Sequence, residues 1–388
     1  MKSPKIQTDL VHIAQALNLF RLGSNIAGIF IPFIILQGGG KLWTIGLFYL
    51  LYAVIKLAIN YPLMRLIQHR GAHFGLGFGF VLSGFQMISI LGYAQFHSIA
   101  FLLIAATFLA FTNGFVWNAQ HYFISKYMDS ATKSSSIATI EIYGRLFDII
   151  GPILGGLVGA VFGPIWLLVA ALVCIAATAW PLRRMGNLTI AQEDSSNLGY
   201  HLRGAPKRDL IANFCFNIES SIGSMAWPIY LAVVLASFKS IGSVGAIAAV
   251  ASIITTWIAG HRGDRGKDRA VLREGVVASS VIHVLRIILT TPIGITVISA
   301  AYKSSLAYLM NSWTSTYYQH AQDKGSQYII SMEIACDLAY VALWGLFLTL
   351  ALVIHDTRLL FNIVFIVAAV AAWGCLLITR QKSDKTLL

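Results

Sequence analysis

Residues 167–180 read LLVAALVCIAATAW, fourteen side chains without a charge, and runs of this kind recur along the chain. Twelve apolar stretches stand out, at 12–36, 42–66, 73–96, 98–122, 136–160, 163–183, 210–234, 240–260, 272–291, 293–318, 327–354 and 358–379. Roughly 20 apolar residues is the length of a helix that crosses the hydrocarbon of a bilayer. Lipid offers no water to bond a stray N–H or C=O, so only helices and closed barrels can span it. A barrel would show alternating segments of about ten residues, whereas these runs are long and continuous. The expected fold class is therefore an all-α membrane protein with twelve transmembrane helices. The composition agrees: 11% of residues are charged, against about 25% in soluble domains.

The chain carries a net charge of +12, and the placement of the charges explains it. With the N-terminus inside and the spans alternating, twenty of the 28 Lys and Arg residues fall in cytoplasmic loops and tails. Only Lys41, Lys239 and Arg358 fall outside. This is the positive-inside bias of membrane proteins. It predicts that both termini are cytoplasmic, and it leaves no role for nucleic acid. Cys174, Cys215, Cys336 and Cys375 all sit inside spans without a CxxC pair, so neither a disulfide nor a metal site is expected. The first apolar run is too long for the core of a cleavable signal peptide.

The longest polar stretch, 183–209, divides the chain into halves of six spans. The expected organisation is an N-terminal bundle at 1–184, a linker at 185–208 and a C-terminal bundle at 209–388. The halves echo one another. Span one, FRLGSNIAGIFIPFIIL, and span seven, FNIESSIGSMAWPIYL, both carry a late proline, Pro32 and Pro228, with Ser24 and Ser220 eight residues earlier. Spans four to five and ten to eleven each run from an aromatic pair through a loop Asp to Ile-Glu-Ile or Met-Glu-Ile, with Glu141 and Glu333 in matching places. Six-span repeats are one plan of secondary transporters.

Charge is costly inside a membrane unless paired or hydrated. Arg21, Lys56, Arg145, Arg286 and Lys303 lie within spans, as do Glu141, Asp148, Glu219, Glu333 and Asp337. Glu141 and Arg145, and Arg145 and Asp148, have the spacing of pairs on one helix face; they form either a structural ladder or part of a proton-coupling network. Glu333 and Asp337 stand one turn apart, which calls for protonation of one or a partner such as Arg286 or Lys303. Glu219 has no basic residue one turn away. It serves either as a proton carrier or as the partner of Arg21 or Lys303 on another span.

Residues 260–274, GHRGDRGKDRAVLRE, hold eight charges in fifteen positions. Gly260, Asp264, Arg265, Gly266 and Lys267, with Arg269 close behind, resemble the charged loop between spans eight and nine of the major facilitator superfamily, one residue shorter around Gly266. The first-half counterpart, YPLMRLIQHRGAHFG at 61–75, lacks the Asp. Gly151, Pro152, Gly155 and Gly156 resemble the Gly-Pro-x-x-Gly-Gly end of span five in exporter-type antiporters of that superfamily, though small residues also serve simple helix packing.

The resemblance covers the whole chain and implies a monomer in a bacterial cytoplasmic (inner) membrane. It assigns 260–274 a gating role and puts spans one, four, seven and ten around a central cavity. The cavity residues it implies are Arg21, Ser24, Asn25, Asn113, Trp117, Asn118, His121, Lys303, Asn311 and Trp313, with Glu219 facing substrate. No GxxxxGK[ST] or GxSxG motif occurs, so neither ATP hydrolysis nor acyl-transfer enzymology is expected, and no cofactor is called for. The expected function is a secondary transporter that moves a small molecule across the bilayer by alternating access, as proton-coupled efflux. The alternatives are uptake of an anionic metabolite and a non-transporting sensor or partner.

Overall fold

The computed structural model describes residues 4–127, 133–184, 199–262 and 268–378. Every regular element among them is helical. The first helices are α1 (Pro4–Ala27), α2 (Ile31–Gln37), α3 (Leu42–Arg70), α4 (Ala72–Phe96), α5 (Ile99–Tyr127), α6 (Lys133–Phe162), α7 (Pro164–Ala177) and α8 (Ala179–Arg184). They are followed by α9 (Lys207–Ser221), α10 (Trp227–Leu235), α11 (Phe238–Arg262), α12 (Asp268–Ile288), α13 (Pro292–Lys324), α14 (Ser326–Val353) and α15 (Thr357–Gly374). Among the described residues, ten segments are long and apolar enough to cross a membrane. Of the twelve expected spans, two are not among these ten. The described apolar part of α6 is shorter, Leu146–Phe162. The apolar stretch of α12 carries three charges, Arg273, Glu274 and Arg286.

The two prolines matched between the halves mark two broken helices. Proline has no N–H to donate and its ring crowds the preceding turn. Pro32 opens α2 just after a 3-10 turn at Gly28–Phe30. Pro228 lies in the first turn of α10, just after a π-helical turn at Ile222–Ala226. Gly163 and Gly325 close tight junctions, with φ of 87° and 74° that side chains other than glycine's seldom adopt.

The chain packs as two units. The first comprises Met1–Ser196 with Pro228–Ala246, and the second Asn197–Trp227 with Ile247–Leu388. In the first, α1 packs on α6 and α7, and α5 on α3 and α4. A core of Ile13, Leu63, Ile67, Leu76, Phe80, Phe115 and Leu182 fills one end. In the second, α12 packs on α13 and α15, and α9 on α14 and α15, around Phe216, Leu309, Trp313, Tyr328 and Met332. All four cysteines are free thiols.

Close helix contact in the first unit depends on missing side chains. A Cβ on Gly151 would stand 2.5 Å from that of Asn25, and one on Gly155 would strike the Ile26 carbonyl. Gly156 meets the Gly242 backbone, its added Cβ 3.1 Å from the Gly242 Cα. The obstacle at Gly155 is backbone and cannot swing aside. Gly155→Ala should therefore lower stability by roughly 1–3 kcal/mol, the usual cost of overpacking. Gly77→Ala, whose Cβ would meet nothing within 4 Å, should be neutral or slightly stabilising. Thermal unfolding of the two purified variants checks the contrast, and equal melting temperatures would refute it.

Candidate functional site

Two polar constellations stand out among the described residues. The one in the second unit is closed. Glu219, near the end of α9, and His283, on α12, have no solvent exposure. The Ser279 hydroxyl donates to Glu219 Oε1, and His283 Nε2 lies 3.2 Å from the same oxygen. Arg286 Nη1 lies 3.0 Å from His283 Nδ1.

A guanidinium can only donate, so Nδ1 must accept. The ring proton therefore sits on Nε2, which donates to Glu219, and the imidazole is neutral. With Glu219 ionised, the cluster holds one negative and one positive charge. The Arg286 guanidinium is 1% exposed and lies between the Trp227 and Tyr302 rings, 4.2 and 4.3 Å from their centroids. Cation–π contact of this kind compensates a desolvated charge. Glu219 Oε2 is buried without a hydrogen-bond partner among the described residues.

The helix geometry makes this arrangement possible. Ser279, His283 and Arg286 recur at four- and three-residue intervals, one face of α12. The π turn begins three residues after Glu219, and such turns occur often at functional sites. Within it, Gly223 leaves the room that the Tyr302 hydroxyl occupies.

The constellation in the first unit is open. Arg21 Nε is 3.3 Å from Asp148 Oδ1, and both side chains are more than a third exposed. Asn25 Nδ2 donates to the same oxygen at 2.8 Å. Trp117, 48% exposed, donates to Asn113 Oδ1 at 3.2 Å, and Ser24 is half-buried.

Other expected site residues lie elsewhere. Asn118 is buried and donates to Asn60 Oδ1 at 2.7 Å, so it joins α5 to α3 rather than lining a cavity. Trp313 is also a core residue, 4% exposed and stacked 4.7 Å from Phe216. Its large apolar ring gains more from enclosure than from a wet wall. Asn311 donates to the Thr256 carbonyl at 3.2 Å, and Lys303 is half-buried. Asp337 is buried and Glu333 half-buried on α14. Arg286 is engaged by His283 instead of by either of them. Glu219 is likewise held from α12, and it is sealed from solvent rather than facing a cavity. Gly151, Pro152, Gly155 and Gly156 lie in the helix contacts described above.

The side chains of His121, Glu141 and Arg145 lie outside the described ones, as do Asp264, Arg265, Gly266 and Lys267. Gly260 falls in the last turn of α11. The ends of the 260–274 segment are tied down. Arg262 makes a two-pronged bond to Glu274 at 2.5 and 2.7 Å, which raises its pKa above the usual arginine value. Arg269 donates to the Leu376 carbonyl at 2.5 Å.

The sequence reading missed Ser279 and His283, whose regular spacing with Arg286 was the available signal. It also missed Asp209, a fully buried carboxylate 3.2 Å from His320 and 3.5 Å from Lys324. Gln327 and Ser331 on α14 bond the backbone of Gly199 and His201, fixing the end of the central polar stretch to the second unit.

No protein-family model and no curated protein matches the sequence. Solved structures do match its fold. A bacterial homologue of the iron transporter ferroportin, in an inward-facing state, superposes with a TM-score of 0.68 at 14% identity, covering 97% of this chain and 98% of that one. The nucleoside transporter NupG gives 0.70 at 12% identity, covering 96% and 100%. The chain thus has the fold of the major facilitator transporters, and it is a multi-pass membrane protein.

Removing one member of a buried ion pair strands the other, at a cost of about 3–5 kcal/mol. Arg286→Met and Glu219→Gln should each destabilise the protein on that scale, and the double variant should lose clearly less than the two losses added together. Thermal unfolding of the four proteins tests this coupling. Strict additivity would mean that the two charges do not compensate each other.

Proposed function

We propose that the chain is a secondary active transporter that moves a small solute by alternating access and couples it to protons, in the direction of efflux. In this reading it has twelve spans, the ten long apolar helices with α6 and α12, in two six-helix bundles joined by the linker at 185–208. Both ends are cytoplasmic, and the protein works as a monomer in a bacterial cytoplasmic membrane.

The observation that carries proton coupling is the sealed Glu219 carboxylate. One of its oxygens is saturated by Ser279 and His283, and the other lacks a hydrogen bond of normal geometry, with the Tyr302 hydroxyl close by. A proton has an acceptor there. Its arrival would neutralise the carboxylate and leave the Arg286 charge unbalanced, and a buried unbalanced charge favours a different packing of the helices around it. A binding equilibrium that biases one of two packings is what coupling requires.

The half-exposed Arg21, Asn25, Asp148, Asn113 and Trp117 supply hydrogen-bonding and aromatic surface for a solute. Uptake of an anion would need a free cation there, and Asp148 already holds Arg21. At 14 and 12% identity, neither iron nor nucleoside is carried over as the substrate.

Purified protein in liposomes containing a pH dye tests the proposal with a panel of cationic, neutral and anionic compounds. One class should drive proton flux; Glu219→Gln should abolish that flux, and Glu219→Asp should retain part of it. Undiminished flux in folded Glu219→Gln protein would remove Glu219 from the mechanism.

A further inference from the structure

We propose that the cleft between α4 and the α7–α8 pair in the first unit binds one anionic phospholipid, with an acyl chain in the cleft and the phosphate on Arg183. The cleft has a volume of about 410 Å³ and runs from His73 and Arg183 at one end to Gly84 and Leu172 at the other. Its walls are apolar, chiefly Phe80, Val81, Leu172 and Ile175. Missing side chains keep it open. Gly77 and Gly84 lie on one face of α4, two turns apart. A Cβ on Gly77 would meet nothing within 4 Å, and one on Gly84 only Leu172, at 3.6 Å.

The dimensions suit a lipid. His73 and Gly84 are eleven residues apart, roughly 16 Å at the helical rise, about half of a ~30 Å hydrocarbon core. The cleft is therefore one leaflet deep. It opens toward the bilayer, where Val81 is 57% exposed and Trp180 56%.

The charges select the headgroup. No acidic residue lines the cleft. His73 Nε2 is taken up by the Leu182 carbonyl at 3.1 Å, and Arg184 lies over the Trp180 ring at 4.1 Å, the kind of aromatic anchor found at a membrane surface. Arg183 is exposed and has no hydrogen-bond or ion-pair partner among the described residues. A guanidinium at the mouth of an apolar slot one leaflet deep matches a phosphate attached to acyl chains, and basic recesses between spanning helices take such headgroups. The inference depends on the chain being embedded in lipid and is independent of what it transports.

Native mass spectrometry of the detergent-purified protein, titrated with phosphatidylglycerol and with phosphatidylcholine of the same acyl chains, tests it. The wild type should retain one phosphatidylglycerol in preference to phosphatidylcholine. Arg183→Gln should weaken that binding about tenfold or more, the scale of one charge-assisted hydrogen bond, and erase the preference. Gly77→Leu and Val81→Trp, which fill the slot from two positions on α4, should each lose the retained lipid while melting as the wild type does. Glycerol phosphate, a headgroup without tails, should not displace it. Equal retention of both lipids by the wild type, unchanged retention in a folded slot-filling variant, or displacement by glycerol phosphate would each overturn the proposal.

Discussion

Inside the hydrocarbon no water is at hand to complete a polar group's bonding, and the rest of the structure follows from that shortage. It makes each span a helix, and it dictates how the helices are repaired where they break. The turns ahead of Pro32 and Pro228 change to 3-10 and π geometry instead of opening. It also drives polar side chains toward one another. Asn118 turns to Asn60, and Asn213 donates to the Met332 carbonyl at 2.6 Å.

The same shortage separates two kinds of charge. Arg21 and Asp148 stand more than a third exposed. Solvent screens such pairs, and they contribute little to stability. The Glu219–His283–Arg286 cluster is sealed, and there the Coulomb term is large and any imbalance expensive. A sealed cluster cannot be judged by the strength of its bonds alone, because desolvation offsets much of their gain. Its significance lies in its sensitivity, since one proton alters the balance of the whole group.

Glycine plays two opposite parts in the first unit. At Gly151, Gly155 and Gly156 the missing side chain is filled at once by a neighbouring helix, and dispersion contact replaces what a Cβ would have offered. At Gly77 the space stays open. Composition cannot tell the two apart, because the difference lies in what stands opposite.

The sequence alone was enough for the class of the fold, because the solvent imposes it residue by residue. A run such as LLVAALVCIAATAW can hardly be anything but a helix in lipid. The broken helices were also legible, since Pro32 and Pro228 act locally. The charges that must find partners could be named as well, Glu219 and Arg286 among them. Their partners could not be named. Glu219 and His283 are 64 positions apart, and it is the packing of α9 and α12 on α15 that brings them together. The same packing drew Asn118 and Trp313 into cores where span position alone suggested a cavity wall. Spacing along a helix fixes which face a side chain occupies, whereas what that face meets is set by interactions between distant segments, and those exist only once the chain has folded.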